Sequence, residues 1–122
     1  MATDEILFIE YPKCSTCKKA KKWLDDHGIA YIDRHIVEDN PTACELAAWQ
    51  KRSGLPLRRF FNTSGMKYRE LGVKAKLDAG MDEHEAFELL ATDGMLVKRP
   101  IVVTDSTVLV GFKEAEWSAA LL

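Results

Sequence analysis

The spacing of apolar and polar positions switches between strand-like and helix-like along the chain. Residues 5–10, Glu5-Ile6-Leu7-Phe8-Ile9-Glu10, form a short apolar run stopped by Tyr11-Pro12, which suits a buried strand. From Ser15 to about His27 the positions Ala20, Trp23, Leu24 and His27 recur at helical spacing, and Gly28 supplies a stop. Tyr31-Ile32-Asp33-Arg34-His35-Ile36 alternates loosely and predicts a second strand, at a distance from the first that requires a crossover helix. Asn40-Pro41-Thr42 punctuates the chain. From Pro41 to about Leu90 the pattern is helical, with Leu46, Trp49, Leu71, Leu77, Phe87, Leu89 and Leu90 expected inward. Breaks at Gly54 with Pro56, at Ser64-Gly65 and at Gly80 predict several short helices. Asp82 with Glu85 has the spacing of a capping box, and the helix it starts should run to about Thr92. Ile101-Val102-Val103 and Val108-Leu109-Val110 flank a turn at Asp105-Ser106 and predict a hairpin. Lys113 to Leu121 closes the chain as a helix with Trp117 inward.

The order β-α-β, helices, β-β-α places a parallel half, a helical insertion and an antiparallel half on one small sheet. The expected fold is α/β and thioredoxin-like, a mixed four-stranded sheet with an all-helical insertion at about 41–92. The 122 residues are the length of one domain, 1–122. With 17 Lys+Arg against 19 Asp+Glu there is no global attraction to nucleic acid, so no direct nucleic-acid partner is expected. No apolar run approaches the roughly 18 residues a membrane span needs. The acidic start Met1-Ala2-Thr3-Asp4-Glu5 lacks the layout of a secretory signal, so a cytoplasmic location is expected.

Three cysteines, Cys14, Cys17 and Cys44, are too few for a disulfide framework. The close pair is then a redox pair, half a metal site, or two buried thiols. A zinc site wants four ligands and usually a second close pair; none exists, so no metal is expected. Cys44 on the first inserted helix reads as core, and the three histidines as surface or satisfied residues. Cys14-Ser15-Thr16-Cys17 sits where a strand ends and a helix begins, where free N–H groups and the helix dipole favour an anion. Such thiols have pKa values lowered from about 8.5 into a range of about 3.5–7.5. Cys14 is the expected nucleophile and Cys17, one turn on and more buried, its resolving partner. Ser15 and Thr16 offer backbone N–H groups to the sulfur.

Lys13, Lys18, Lys19, Lys21 and Lys22 crowd the start of this helix, with Asp25 and Asp26 near its end. That order opposes the dipole at both ends, which makes sense if an anion sits at the N-terminus. Lys13 or Lys18 is expected near the sulfur. The outer lysines also suit a solvated face with Lys21–Asp25 and Lys22–Asp26 pairs. Pro100 precedes the strand run 101–103 as a cis-proline commonly does in thioredoxin-like folds, opposite the active cysteine, so a cis Arg99–Pro100 bond is expected against the general rarity of such bonds. Arg99 would then lie beside the cysteine loop and hold an oxyanion or carboxylate.

Tyr11-Pro12-Lys13-Cys14-Ser15-Thr16-Cys17-Lys18-Lys19-Ala20, with Leu96-Val97-Lys98-Arg99-Pro100-Ile101-Val102-Val103 and Val110-Gly111-Phe112-Lys113-Glu114, resembles the arsenate reductase ArsC/Spx family over essentially the whole chain. The resemblance implies a thioredoxin-like fold with a helical insertion. It also implies thiol chemistry at Cys14, with an external donor such as glutathione, glutaredoxin or thioredoxin and no bound cofactor. Arsenate reductases of this family surround the oxyanion with three arginines. Arg99 matches one; Asn62 and Gly111 stand at the other two, with Arg58, Arg59 and Lys67 as nearby cations. The Spx branch implies a different role, redox-sensing regulation through the RNA polymerase α subunit. An equivalent of that branch's longer C-terminal tail is not expected here.

Overall fold

The computed structural model describes residues 6–122. The chain runs β1 (Leu7–Glu10), α1 (Ser15–Asp26), β2 (Ile32–His35), then α2 (Ala43–Ser53), α3 (Met66–Glu70), α4 (Val73–Asp78) and α5 (Glu83–Thr92). It returns through β3 (Ile101–Val103) and β4 (Val108–Val110) and ends in α6 (Glu114–Leu121). Short 3₁₀ turns occupy Leu57–Phe60 and Gly94–Leu96. The sheet order is β2-β1-β3-β4, with β1 and β2 parallel and the other pairs antiparallel. This is the mixed sheet and helical insertion of a thioredoxin-like fold. The first strand begins at Leu7; Glu5, expected in it, lies outside the described residues. No helix among the described residues is long and apolar enough to cross a membrane.

Strand alternation sends neighbouring side chains to opposite faces. Phe8 and Val102 meet Ala20, Trp23 and Leu24 of α1 and Trp117 of α6, while Ile9, Ile101 and Val103 meet the insertion through Leu46, Trp49, Phe87 and Leu90. Helices therefore cover both faces. The crossover helix α1 is ended by Gly28 at φ +66°, where Ile29 N–H reaches back to the Leu24 carbonyl at 3.0 Å.

His27, at a helical-spacing position, is exposed and satisfied as the histidines were expected to be: it caps α1, and its ring lies 4.3 Å from the Trp23 ring with Nδ1 2.8 Å from the Trp23 carbonyl. Several expectations need correction. Leu71 is exposed, because α3 ends at Glu70 and Gly72 turns the chain through a left-handed φ of +60°, which sends Val73 inward instead. Cys44 is exposed on the outer side of α2. Lys21 bonds Asp33 at 2.8 Å across the crossover rather than Asp25, whose carboxylate accepts from the Tyr31 hydroxyl; Lys22 does pair with Asp26. Asp82 caps α5 by accepting from the Glu85 amide. The reciprocal capping box is at α2, where Glu45 N–H donates to Thr42 Oγ1 and Thr42 N–H to Glu45 Oε1.

Glu45 also ties the insertion to the sheet. Both its oxygens accept from the Arg34 fork at 2.8 Å, and Arg34 lies over the Trp49 ring. The Arg34 bonds hold the Glu45 carboxyl down at about 2 against an ordinary 4.5. A carboxyl depressed in the folded state stabilises above its unfolded value, and that contribution fades as pH falls from 4.5 toward 2. Glu45→Gln is expected to lose about 1–2 kcal/mol at neutral pH, allowing for the partial exposure of the pair. Urea titrations should show the two proteins converging toward pH 2; a constant gap would remove the ion pair as the cause.

Candidate functional site

The end of β1 turns sharply into α1. Cys14 N–H closes the turn on the Tyr11 carbonyl at 2.9 Å, and the Cys14 carbonyl accepts the first helical bond, from Lys18 at 3.0 Å. Cys14 is thus the N-cap of α1, with extended φ −84° and ψ 127°. Its side chain closes no capping bond of strict geometry, and no acidic residue occupies the first turn. The Cys14 sulfur is half-buried and the Cys17 sulfur fully buried, both as free thiols.

The two thiols are driven apart electrostatically. Burial works against ionising Cys14, but the Cys17 amide and thiol, the Arg99 guanidinium and the Thr16 amide outweigh it and hold its pKa below the ordinary value. Burial pushes Cys17 up to about 12, reinforced by the neighbouring Cys14 and opposed by the Tyr11 amide. One sulfur is prepared to be an anion and the other to keep its proton. The amides of Thr16 and Cys17 act on Cys14 because the helical turn aims them at the cap.

The second wall of the site comes from the far end of the chain. The Arg99–Pro100 bond is cis and Pro100 is buried, its carbonyl accepting from Gly111 N–H at 2.8 Å. The Arg99 guanidinium lies 5.0 Å from the Tyr11 ring centre, and its Nη1 is 4.0 Å from the Met95 sulfur. Its Nε is buried without a hydrogen-bond partner among the described residues. The guanidinium is therefore held by weak contacts and still has donor capacity to give.

The third wall is the insertion. Asn62 N–H donates to the Leu96 carbonyl and Lys98 N–H to the Phe60 carbonyl, both at 2.8 Å, so segments 60–62 and 96–98 run side by side. Together the three walls enclose a cavity of about 610 Å³. Cys14, Thr16 and Arg99 line it, as does Asn62, with Ser64, Gly65, Met66, Lys67, Glu70, Met95 and Lys98.

Of the residues expected at the site, the fold brings Cys14, Thr16, Arg99 and Asn62 together and keeps Cys17 and Pro100 beneath. Lys13 and Ser15 are exposed outside the cavity, and Lys18 lines a different recess on the β2 side of α1. The cation acting on the sulfur is Arg99, and the cavity's other cations are Lys67 and Lys98. Lys98, Met95 and Glu70 were missed. Only Lys98 carried a signal in sequence, its place next to Arg99. Among the described residues, no three His, Cys, Asp or Glu side chains cluster as a metal site.

Comparison with known proteins agrees with this geometry. The ArsC family model matches residues 9–120. The Bacillus subtilis protein YusI is 54% identical over 112 residues, covering 92% of this chain and 94% of its own. The crystal structure of an ArsC family related protein from Bacteroides fragilis is 57% identical and superposes with a TM-score of 0.91, covering 94% of this chain and 96% of the other. The regulatory protein MgsR of Bacillus subtilis is 28% identical over 112 residues, 92% of this chain and 86% of its own. Spx global transcriptional regulators and an arsenate reductase from Vibrio cholerae share less sequence or the fold alone. A family model that spans the nucleophile loop, the insertion and the cis-proline wall, with relatives above half identity over nearly the full length, establishes that the chain belongs to the ArsC family.

Proposed function

We propose that this ArsC-family protein is a thiol–disulfide oxidoreductase with Cys14 as nucleophile and Cys17 as resolving thiol. The observation that carries the proposal is the placement of two free thiols one helical turn apart, Cys14 at the N-cap of α1 on the cavity that Arg99 also lines and Cys17 fully buried behind it, an arrangement that lowers the first thiol and raises the second. In the first step the Cys14 thiolate attacks an oxidised sulfur R–S–S–R′, forming Cys14–S–S–R and releasing R′S⁻. In the second step Cys17 loses its proton and attacks the Cys14 sulfur, releasing RS⁻ and leaving a Cys14–Cys17 disulfide. Two electrons have passed to the substrate. An external thiol donor, glutathione, glutaredoxin or thioredoxin, returns them.

Arg99, with Lys98 and Lys67 on the same cavity, orients an anionic substrate at Cys14. The same attack on arsenate would meet Asn62 where the resemblance places an arginine, and Gly111, the other such position, does not line the cavity, so a disulfide suits this cavity better than an oxyanion held by three arginines. Lys13, Ser15 and Lys18 lie outside this cavity. A second reading is favoured by the regulatory relatives MgsR and Spx: the Cys14–Cys17 disulfide would be a switch read by RNA polymerase rather than a turnover intermediate. Capture of the polymerase α subunit by only one redox state, with no turnover on thiol donors, would select that reading.

A Cys17→Ser variant, in a Cys44→Ser background that removes the exposed third thiol, tests the oxidoreductase. It is expected to attack glutathione disulfide normally and to accumulate one glutathione per chain on Cys14, resolved by mass spectrometry. With limiting iodoacetamide at neutral pH, the protein with both active-site thiols should be alkylated on Cys14 in large excess over Cys17. Equal labelling of the two would end the proposal.

A further inference from the structure

Of the cations on the Cys14 cavity, Lys98 and Arg99 are consecutive in the turn before β3, and Lys67 belongs to α3. Arg99 is placed by the cis bond that follows it and by the Tyr11 ring. Lys98 is placed differently. Its N–H donates to the Phe60 carbonyl at 2.8 Å, which anchors its main chain to the insertion. Its stem crosses Gly111: a Cβ built on that glycine would lie 3.5 Å from Lys98 Cε. Gly111 turns at φ +79°, a conformation that favours glycine, and both its main-chain groups are engaged. Its N–H donates to the Pro100 carbonyl at 2.8 Å and its carbonyl accepts from Trp117 Nε1 at 3.0 Å. The backbone beside the lysine stem is therefore fixed and carries no side chain. Apolar methylenes rest on it, while the half-buried residue lines the cavity.

The charges on the cavity are not equivalent. Lys67 has the Asp93 carboxylate 3.9 Å away, and Glu70 adds a negative charge to the same rim. Lys98 makes no ion pair with a carboxylate of the described residues. Arg99, whose buried Nε also lacks a partner, already acts on the Cys14 sulfur. Uncommitted positive charge is thus concentrated on the wall before β3, and Lys98 is the part of it that the sulfur does not use. Partly buried donors left without partners in the protein are matched to an acceptor on a ligand.

We infer that Lys98 is the specificity-determining residue of this site: it holds a carboxylate of the disulfide that Cys14 attacks, so the substrates are small carboxylate-bearing disulfides rather than neutral or cationic ones. The inference rests on the oxidoreductase proposal and deepens it by naming the substrate class. An anionic disulfide approaching a thiolate is repelled, and a fixed cation on the same cavity offsets that repulsion. A lysine supplies one mobile point charge with rotatable donors, which suits a carboxylate carried on a flexible or aromatic group. The bonds exchanged are those of the first step already given, and no proton or electron passes through Lys98.

Rates of Cys14 attack in the Cys44→Ser protein, measured with disulfides of different charge, test the inference. Dithiobis(nitrobenzoate) carries a carboxylate on each ring, dithiodipyridine is neutral and cystamine is cationic. Lys98→Met keeps an apolar stem over Gly111 and removes the charge. The ratio of the dithiobis(nitrobenzoate) rate to the dithiodipyridine rate is expected to fall about 10-fold in Lys98→Met and to recover in Lys98→Arg. The ratio of cystamine to dithiodipyridine should rise in Lys98→Met. High salt should bring the parent's ratios toward those of the variant. Alkylation by neutral iodoacetamide across pH reads the acidity of Cys14 separately, and its inflection is expected at the same pH in parent and Lys98→Met. Unchanged ratios in Lys98→Met, or a shifted inflection with all the disulfide rates falling together, would overturn the inference while leaving the oxidoreductase standing. Failure of Cys14 in the parent to react with any of these disulfides would overturn both.

Discussion

Replacing Cys14 by Ser is expected to abolish attack on disulfides, by roughly 10³-fold or more, while the fold is retained. The amides of Cys17 and Thr16 and the Arg99 guanidinium act on a sulfur whose ordinary value lies within their reach, whereas a serine hydroxyl stays protonated under the same influence. Cys17 cannot take over. Removing the Cys14 charge relieves part of what raises it, but burial, the largest cause, remains, and its sulfur has no access to the cavity. Chromogenic disulfide assays on Cys14→Ser and on Cys17→Ser, both lacking Cys44, make the contrast. The first should show no fast phase and the second a complete one. A fast phase surviving in Cys14→Ser would assign the nucleophile to another residue.

The largest structural effect is expected from Gly94→Ala. Gly94 opens the 3₁₀ turn after α5, and a methyl group there would sit 1.9 Å from the Ile36 carbonyl oxygen and 2.9 Å from the Val37 Cα. These are main-chain atoms, and Ile36 is itself fixed by its N–H bond to the Glu10 carbonyl at 2.8 Å, so no side-chain rotation relieves the clash. Separating the turn from the end of β2 should cost about 3–4 kcal/mol, read as a lower urea midpoint. Gly28→Ala is the internal control: its φ is +66° but the space around it is open, and it should cost about 1 kcal/mol from backbone conformation alone. Equal midpoints for the two variants would mean that the close approach is not limiting. Because the same turn leads into Met95, Lys98 and Arg99, surviving Gly94→Ala protein should also show a less ionised Cys14.

The parts of the fold readable in sequence are those whose signals are local. The apolar run at Leu7–Ile9, the helix closed by Gly28 and the paired β-branched runs each declare themselves within a few residues, and their order selects the sheet. The insertion was less readable, because its short helices are set by turns rather than by periodicity. At Leu71 and Val73 the apolar pattern allows either residue inward, and only the left-handed Gly72 decides. At the site, Cys14 was readable from capping logic and the cis bond from what precedes the strand. What surrounds them was not. Lys18 and Lys21 were expected to serve the sulfur or their own helix, but α1 is rotated so that they reach toward β2, leaving Arg99 as the cation at Cys14. Asn62 and Lys98 are brought together by main-chain bonds between segments more than thirty positions apart, which no local pattern encodes. Glu10 looked like the polar end of an apolar strand, yet the crossover helix covers it.

The cavity is assembled from separate stretches of chain: α1 carries the reactive sulfur, residues 62–67 form one rim and the turn before β3 the other. Its selectivity is therefore separable from its reactivity. Grafting residues 62–67 from a relative should change which molecules reach Cys14 while leaving the acidity of that sulfur as it was, so that one electron-transfer device can be re-addressed by editing a surface loop.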